Sequence, residues 1–472
     1  MIKRLANLAQ PSLAANAGQS LGLGYAILCA GEVLAKVLTL AAFARLAWVL
    51  GPGAFGRMEY CFSLVLTLTM LADFGTSTFG VREVAKNPSR VAAVARMLVP
   101  GRLWLAALST GIVVVYAVVM PSVRPVATLL VLFGLSLLPG PYLLQWVFLG
   151  QRRMGYVCAA QAVRCGLFAA AVFLLVRGEA DVWIAALAEA ISVAASAGFC
   201  VLAYRMTTRH WPPTPMGWPH WGALRPVIPL GLSQFAWAAK YMLATVVVGA
   251  LAGLGEGAAQ VGCMGAATRI IIALHMFVSL YASNLLPAGA AAYAQSVGSL
   301  QSLVRQTLRT STPAALGAAA LLTLLAGPLV AVIYGQAYWQ AAIVLQILSW
   351  MLAAGLVSSH FRVALLAAGR QGLELVAQAV GAAVALALML LLYGPLGLVG
   401  IATAMVAGEV TTLVLAMLLA RRCLRSIAAL GCEVPSPQGG RFTRSTASRD
   451  ERQSRQAVAP VDGGVRDPGV AS

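Results

Sequence analysis

Acidic residues are scarce in this chain: 15 Asp and Glu among 472 residues, with only 4 His. Charged residues of both signs make up 10%, against about 25% in a typical soluble domain. So few carboxylates and imidazoles leave little material for acid–base pairs or metal clusters, and no His/Asp/Glu constellation stands out. Strand-like alternation is also missing, which excludes a transmembrane barrel. The 8 cysteines form no CxxC and no Cys/His ligand spacing, so they read as small core residues in a reducing compartment. No cleavable signal peptide is visible at the start, and neither a cofactor nor a metal is expected.

What the chain does have is apolar length. Hydrophobic residues reach 60% and the mean hydropathy is +0.83. Only lipid dissolves that much Leu, Val and Ala, so the fold class is an all-α polytopic membrane protein. Runs near the ~20 residues that span a bilayer fall at 21–44, 59–80, 101–120, 126–149, 157–177, 182–204, 226–251, 266–290, 313–334, 341–366, 374–393 and 396–420, which is about twelve helices.

The net charge of +18 does not call for nucleic acid, because the basic residues collect in alternate loops. Loop 81–102 carries Arg82, Lys86, Arg90, Arg96 and Arg102, and later even-numbered loops carry Arg152 and Arg153, then Arg205, Arg209 and Arg225, then Arg305 and Arg309, and then Arg370. By the positive-inside rule both termini are expected in the cytoplasm. The segment 204–225, rich in Pro, Trp and Arg, divides a first lobe (1–203, six helices) from a second (226–420, six helices). Residues 421–472 are rich in Ser, Gly, Pro and Arg and are expected to form a disordered cytoplasmic tail.

The halves resemble each other. LGPGAF (50–55) matches LGEGAA (254–259), Ala85–Arg96 matches Ala294–Arg305, and Glu189 and Glu409 fall at corresponding places in the last helix of each half. Six helices per half restore the starting orientation, so the expected relation is a parallel repeat.

Three stretches then resemble a known family. ARLAWVLGPGAFGRMEY, LADFGTSTFGVREVAK and LLAGPLVAVIYGQAYWQAAIVLQIL, in that order, are similar to segments of bacterial polysaccharide flippases. These belong to a superfamily that also holds drug/cation antiporters and peptidoglycan-precursor flippases. The resemblance implies movement of an undecaprenyl-diphosphate-linked oligosaccharide between leaflets of the inner membrane, for O-antigen or exopolysaccharide synthesis. It implies as partners that lipid-linked substrate, membrane lipids, and the polymerase and assembly proteins of the pathway.

Such a headgroup needs a hydrated cavity, cations for phosphate and aromatic or polar groups for sugar. The candidate cations within the spans are Lys36, Arg164, Lys240, Arg269 and Arg362, with Arg45 near a helix end. Ser233, Trp237, Lys240 and Tyr241 share one helical face and suit a phosphosugar. Glu32 and Asp73 are the candidates for coupling to H⁺ or Na⁺, although Glu32 could also pair with Lys36 one turn on, and Asp73 could sit in a polar cluster with Thr69, Thr76 and Ser77. Two other function classes stay open. A drug/cation antiporter would want an acidic, aromatic cavity. A membrane polymerase or ligase would want a sizeable outward loop, and the outward loops here are short.

Overall fold

A computed structural model describes residues 17–212 and 227–429. Among the described residues the regular structure is all helical, and eleven elements are long and apolar enough to cross a membrane. The first of them holds two crossings. Helix α1 (Ala17–Asp73) is broken at Gly51, where φ is 67° and ψ is 170°, and Pro52 opens the next helix. Phe43 and Phe62 are 19 residues apart, a separation of about 28 Å along a straight helix. Their ring centroids lie 5.4 Å apart, so the chain doubles back at Gly51. The expected span at 21–44 lies in the first arm of this hairpin, and the span at 59–80 covers the end of the second arm and, beyond a break at Phe74 and Gly75, the start of the next helix.

The remaining helices follow in order: α2 (Thr76–Lys86), α3 (Val91–Val119), α4 (Ala127–Gly134), α5 (Gln145–Gly150), α6 (Met154–Leu175) and α7 (Val182–Thr208). After the connector come α8 (Ile228–Ala252), α9 (Ala258–Gln295), α10 (Val297–Ile333), α11 (Trp339–Ala367), α12 (Gln371–Leu396) and α13 (Leu398–Ala429).

Several boundaries differ from the sequence reading. Helices α9 and α10, of 38 and 37 residues, absorb the expected loop 291–312 except for a break at Ser296, whose side chain accepts from the Ser299 amide. This stretch looked like a loop because half of it is polar. In the fold Arg305 and Arg309 face outward while Leu300, Val304 and Leu308 pack inward. Likewise α13 continues to Ala429 because Leu424 packs with Leu300 and Ala364, so the expected tail does not begin at 421. The connector starts after α7 ends at Thr208, and its residues 213–226, like the tail residues 430–472, lie outside the described residues.

The helices gather in two groups, α1–α7 and α8–α13, which meet chiefly where α1 lies against α8 and α9. At the Gly51 end one apolar core runs through both groups, joining Phe43, Phe55 and Met58 to Val261, Met264, Tyr334 and Tyr338. At the opposite end, where α1 begins and α13 finishes, each group has its own core: Val84, Leu98, Trp146 and Tyr204 in the first, Phe361, Ala377 and Ala420 in the second. The fused end depends on bare backbone. A β-carbon on Gly56 would overlap the carbonyl oxygen of Ala258, and one on Gly262 would overlap that of Pro52.

The second group also buries an ion pair. Lys240 is fully buried, and its Nζ donates to Glu409 Oε2 at 2.7 Å, Gln378 Oε1 at 2.8 Å and Thr412 Oγ1 at 3.0 Å. Three oxygens from α12 and α13 thus clamp an ammonium of α8. Removing one partner strands the other charge, at about 3–5 kcal/mol.

Two outcomes are expected. Lys240→Ala should lower the unfolding free energy in detergent by about 3–5 kcal/mol, and an unchanged value would show the pair to be unimportant to the core. Gly56→Leu should fail to elute as a monodisperse species on size exclusion. Gly53→Leu, where an added β-carbon meets nothing within 4 Å, should elute as wild type.

Candidate functional site

A cavity of about 910 Å³ lies between the two groups. Its walls come from α1–α7, including the turns between α4 and α5, on one side and from α8, α9 and α11 on the other. The lining runs from the separate cores, at Trp146 and Val157, as far as the edge of the fused core, at Phe62, Val65 and Phe133. Toward the Gly51 end the space is shut by contacts between groups. Arg269 on α9 holds both carboxylate oxygens of Glu59 on α1, with Nη2 to Oε2 at 3.0 Å. Its guanidinium carbon lies 3.2 Å from the Phe43 ring centroid and 4.4 Å from that of Phe62. Tyr338 donates to Ala47 O at 3.0 Å, and Trp48 to Ile333 O at 2.9 Å.

The charges along the cavity are arranged in pairs. Arg102 meets Asp73 at 3.2 Å, Arg164 meets Glu189 at 2.6 Å, and Arg362 meets Glu374 at 2.9 Å. Ser233 donates to the other oxygen of Glu374 at 2.7 Å. Three arginines (102, 164, 362) and three carboxylates (Glu32, Asp73, Glu189) line the space, so it is balanced in formal charge. The basic lean of the central spans therefore does not carry through to an electropositive chamber, because the carboxylates sit beside the guanidiniums. Glu32 is the exception: among the described residues it has no ion-pair partner within 4 Å, and Lys36 one turn on does not reach it.

The corner around Asp73 is built by a helix break. α1 stops at Asp73, and Phe74 (φ 40°) and Gly75 (φ 74°) adopt left-handed conformations before α2 begins. Gly75 is needed twice over, for that φ and for its approach to Gly231 of the other group. Thr76 Oγ1 caps the freed Asp73 carbonyl at 2.6 Å, and Ser77 donates to Oδ1. Asp73 is thus held by hydroxyls and Arg102. Thr69, one turn before, instead donates to Val65 O.

On the facing wall Trp237 stacks on Tyr241 with centroids 4.8 Å apart, and His275 lies 5.3 Å from Trp237. The indole reaches the cavity while Tyr241 is fully buried behind it.

Of the residues singled out in the sequence, the structure brings Glu32, Asp73, Arg164, Ser233, Trp237 and Arg362 to the cavity wall. The others stand elsewhere. Lys240 and Tyr241 are sequestered in the second group's core: a helical face is wide, and its far edge turns toward α12 and α13. Arg269 belongs to the shut end. Lys36 is half-buried and Arg45 exposed, both off the cavity. Arg102, counted among loop cations, is in fact inside α3 and 5% exposed. Sequence reading missed Glu59, Glu374, Trp146 and His275. Glu59 and Glu374 open their apolar runs, where a carboxylate looks like an ordinary helix start.

The family comparison agrees with this architecture. The polysaccharide biosynthesis protein family matches residues 21–291, more than half of the chain. No curated protein matches in a sequence search. Among solved structures, an inward-facing multidrug resistance MATE family transporter of the MOP superfamily superposes with a TM-score of 0.64 at 17% identity, covering 85% of this chain and 100% of that one. The lipid II flippase MurJ, in an inward closed conformation, gives 0.64 at 10% identity, with 86% and 93% covered. A MOP superfamily transporter from Pyrococcus furiosus, described as having a binding pocket of reverse polarity, gives 0.56 at 16%, with 86% and 96% covered. At these identities the likeness shows the fold, one shared by transporters and a flippase. The chain is a multi-pass membrane protein with a MOP-superfamily transporter fold, and it belongs to the polysaccharide biosynthesis protein family.

Proposed function

We propose that this protein is a flippase that carries an undecaprenyl-diphosphate-linked oligosaccharide across the bacterial inner membrane by alternating access. The observation that carries the reading is the kind of polar atom left unpartnered just behind the cavity lining. Arg102 Nε and Nη1, Trp146 Nε1 and Trp237 Nε1 are buried, belong to lining residues and have no hydrogen-bond acceptor. All are donors. Phosphoryl and sugar oxygens are acceptors, and a cargo that offers many of them suits these donors when the side chains turn toward the cavity. An organic cation offers few or none.

Placed with both termini in the cytoplasm, the cavity opens inward and the Glu59–Arg269 contact closes the outer side. Loading would occur from the cytoplasmic leaflet, where lipid-linked precursors carry their headgroups. Outward movement of about two phosphate charges from a negative interior gains about 2.3 kcal/mol per charge for each ~100 mV. A drug/cation antiporter is the second reading, and unpaired Glu32 is the feature that favours it. In the flippase reading the same carboxylate is the group free to couple inward H⁺ or Na⁺, since Asp73 is engaged by Arg102, Thr76 and Ser77.

Flipping of a fluorescent lipid-linked oligosaccharide in proteoliposomes, read with a membrane-impermeant quencher, tests this. The wild type should flip it and should not exchange ethidium for protons. Trp237→Ala should slow flipping roughly tenfold, as loss of a stacking and hydrogen-bonding indole costs about 1–1.5 kcal/mol. Ethidium exchange without flipping would establish the antiporter instead. Under an imposed H⁺ or Na⁺ gradient at zero potential, Glu32→Gln should abolish directional accumulation. Accumulation equal to wild type would remove Glu32 from coupling.

A further inference from the structure

We propose that the lipid-facing seam between the two groups, at the Gly51 end, binds an anionic glycerophospholipid, with the phosphate on Arg45 and an acyl chain in a groove of the α10–α11 hairpin. The inference goes beyond the carrier reading and does not depend on what the cavity holds.

Two of the three stretches singled out in the sequence meet here, away from the cavity. ARLAWVLG supplies Arg45 and Trp48 on the first arm of α1, and LLAGPLVAVIYGQAYWQAA supplies the end of α10, the turn after it and the start of α11. Gly335 turns the chain with φ 90°, and a β-carbon on it would come within 3.1–3.3 Å of the Trp48 ring. Trp48 Nε1 donates to Ile333 O at 2.9 Å, so a side chain of one group rests on the hairpin of the other.

A groove of about 330 Å³ opens in that hairpin. Gly327, Pro328 and Ala331 of α10, Gly335 of the turn, and Trp339 and Ala342 of α11 wall it. Small apolar residues leave a slot suited to a hydrocarbon chain. Leu324 precedes Pro328 and Ala331 by four and seven residues, on the same helical face, and is 78% exposed. That face therefore looks into lipid, and the slot is open to it.

Arg45 supplies the charge. It precedes Gly51 by six residues, about 9 Å along the helix, and Pro328 precedes Gly335 by seven, about 10 Å, so both lie at a similar depth. Arg45 is exposed, and among the described residues it has no ion pair and no hydrogen bond. A guanidinium facing hydrocarbon is costly unless the bilayer supplies its acceptor, and phosphate offers one that it holds through two N–H groups. Arg45 and Trp48 are three residues apart and share a face, which puts the guanidinium on the side of the hairpin. Trp48 and Trp339 are both exposed there, as indoles are where headgroups meet chains. A single unpaired cation favours a headgroup of net negative charge over a zwitterion. Arg45 and the groove belong to different groups, so one lipid joins them.

The test uses the full-length protein in phosphatidylcholine nanodiscs doped with phosphatidylglycerol that carries a diazirine on one acyl chain, with labelled peptides mapped by mass spectrometry. Label should concentrate on residues 327–342. Arg45→Gln breaks no protein contact and should lower that label about 3- to 10-fold, and Arg45→Lys should recover part of it. Ala342→Leu, which narrows the groove, should also lower it. Label at Leu390 and Leu391, exposed on α12, should stay as in the wild type throughout. Unlabelled phosphatidylglycerol should compete, and phosphatidylethanolamine should compete less. Equal competition by the two would overturn the anionic assignment. Displacement by inorganic phosphate would assign Arg45 to a free anion and overturn the lipid. Unchanged label at 327–342 in both Arg45→Gln and Ala342→Leu refutes the site, and it leaves the carrier reading intact because none of these measurements reads flipping.

Discussion

A charge inside a membrane protein must be partnered, and this one constraint organises the molecule. Among the described residues, five intramembrane pairs carry it: Glu59–Arg269, Asp73–Arg102, Arg164–Glu189, Lys240–Glu409 and Arg362–Glu374. Their positions give them different consequences. Lys240–Glu409 is dry and internal to one group, so it fixes α8 against α12 and α13. Arg164–Glu189 and Arg362–Glu374 border the cavity from opposite walls, each within its own group. Glu59–Arg269 alone of the five joins the two groups, at the end where their apolar cores are fused.

The two ends of the bundle differ accordingly. At the Gly51 end the groups share aromatic residues and touch backbone to backbone at Gly56 and Gly262. At the other end their cores are separate and a cavity lies between them. Its mouth is crossed by few contacts, among them Gly75 against Gly231 and a hydrogen bond from Gln234 to Thr78 at 3.1 Å. The ion pairs along the wall spend most of the available charge within each group. Among the described residues, Glu32 is the cavity-lining carboxylate left without an ion-pair partner.

Much of this was legible in the sequence and some was not, for physical reasons. Span positions follow from apolar length, because each crossing needs about 20 residues whatever it packs against. The Gly51 hairpin is marked by the Gly-Pro step, and Asp73 by its hydroxyl neighbours. Facing directions are harder. A membrane helix is apolar toward lipid and apolar toward its neighbours, so its sequence period does not reveal which side looks inward. Lys240 and Trp237 lie within one turn of each other, yet one is clamped in the core and the other reaches the cavity. Partner choice was equally hidden. Glu59 and Arg269 are 210 residues apart, and nothing local links them. Helical extensions such as 297–312 resemble loops in sequence because polarity on one face mimics polarity throughout.

Glu59 and Arg269 join the groups at the Gly51 end, and the proposed alternating access requires the groups to part there once that pair is released. Spin labels at Arg124 and Glu256, both exposed at that end and on different groups, measure it directly by electron–electron distance spectroscopy. A single short distance is expected in the otherwise native protein, and Glu59→Gln should add a second, longer population. An identical single distribution in the variant would contradict it.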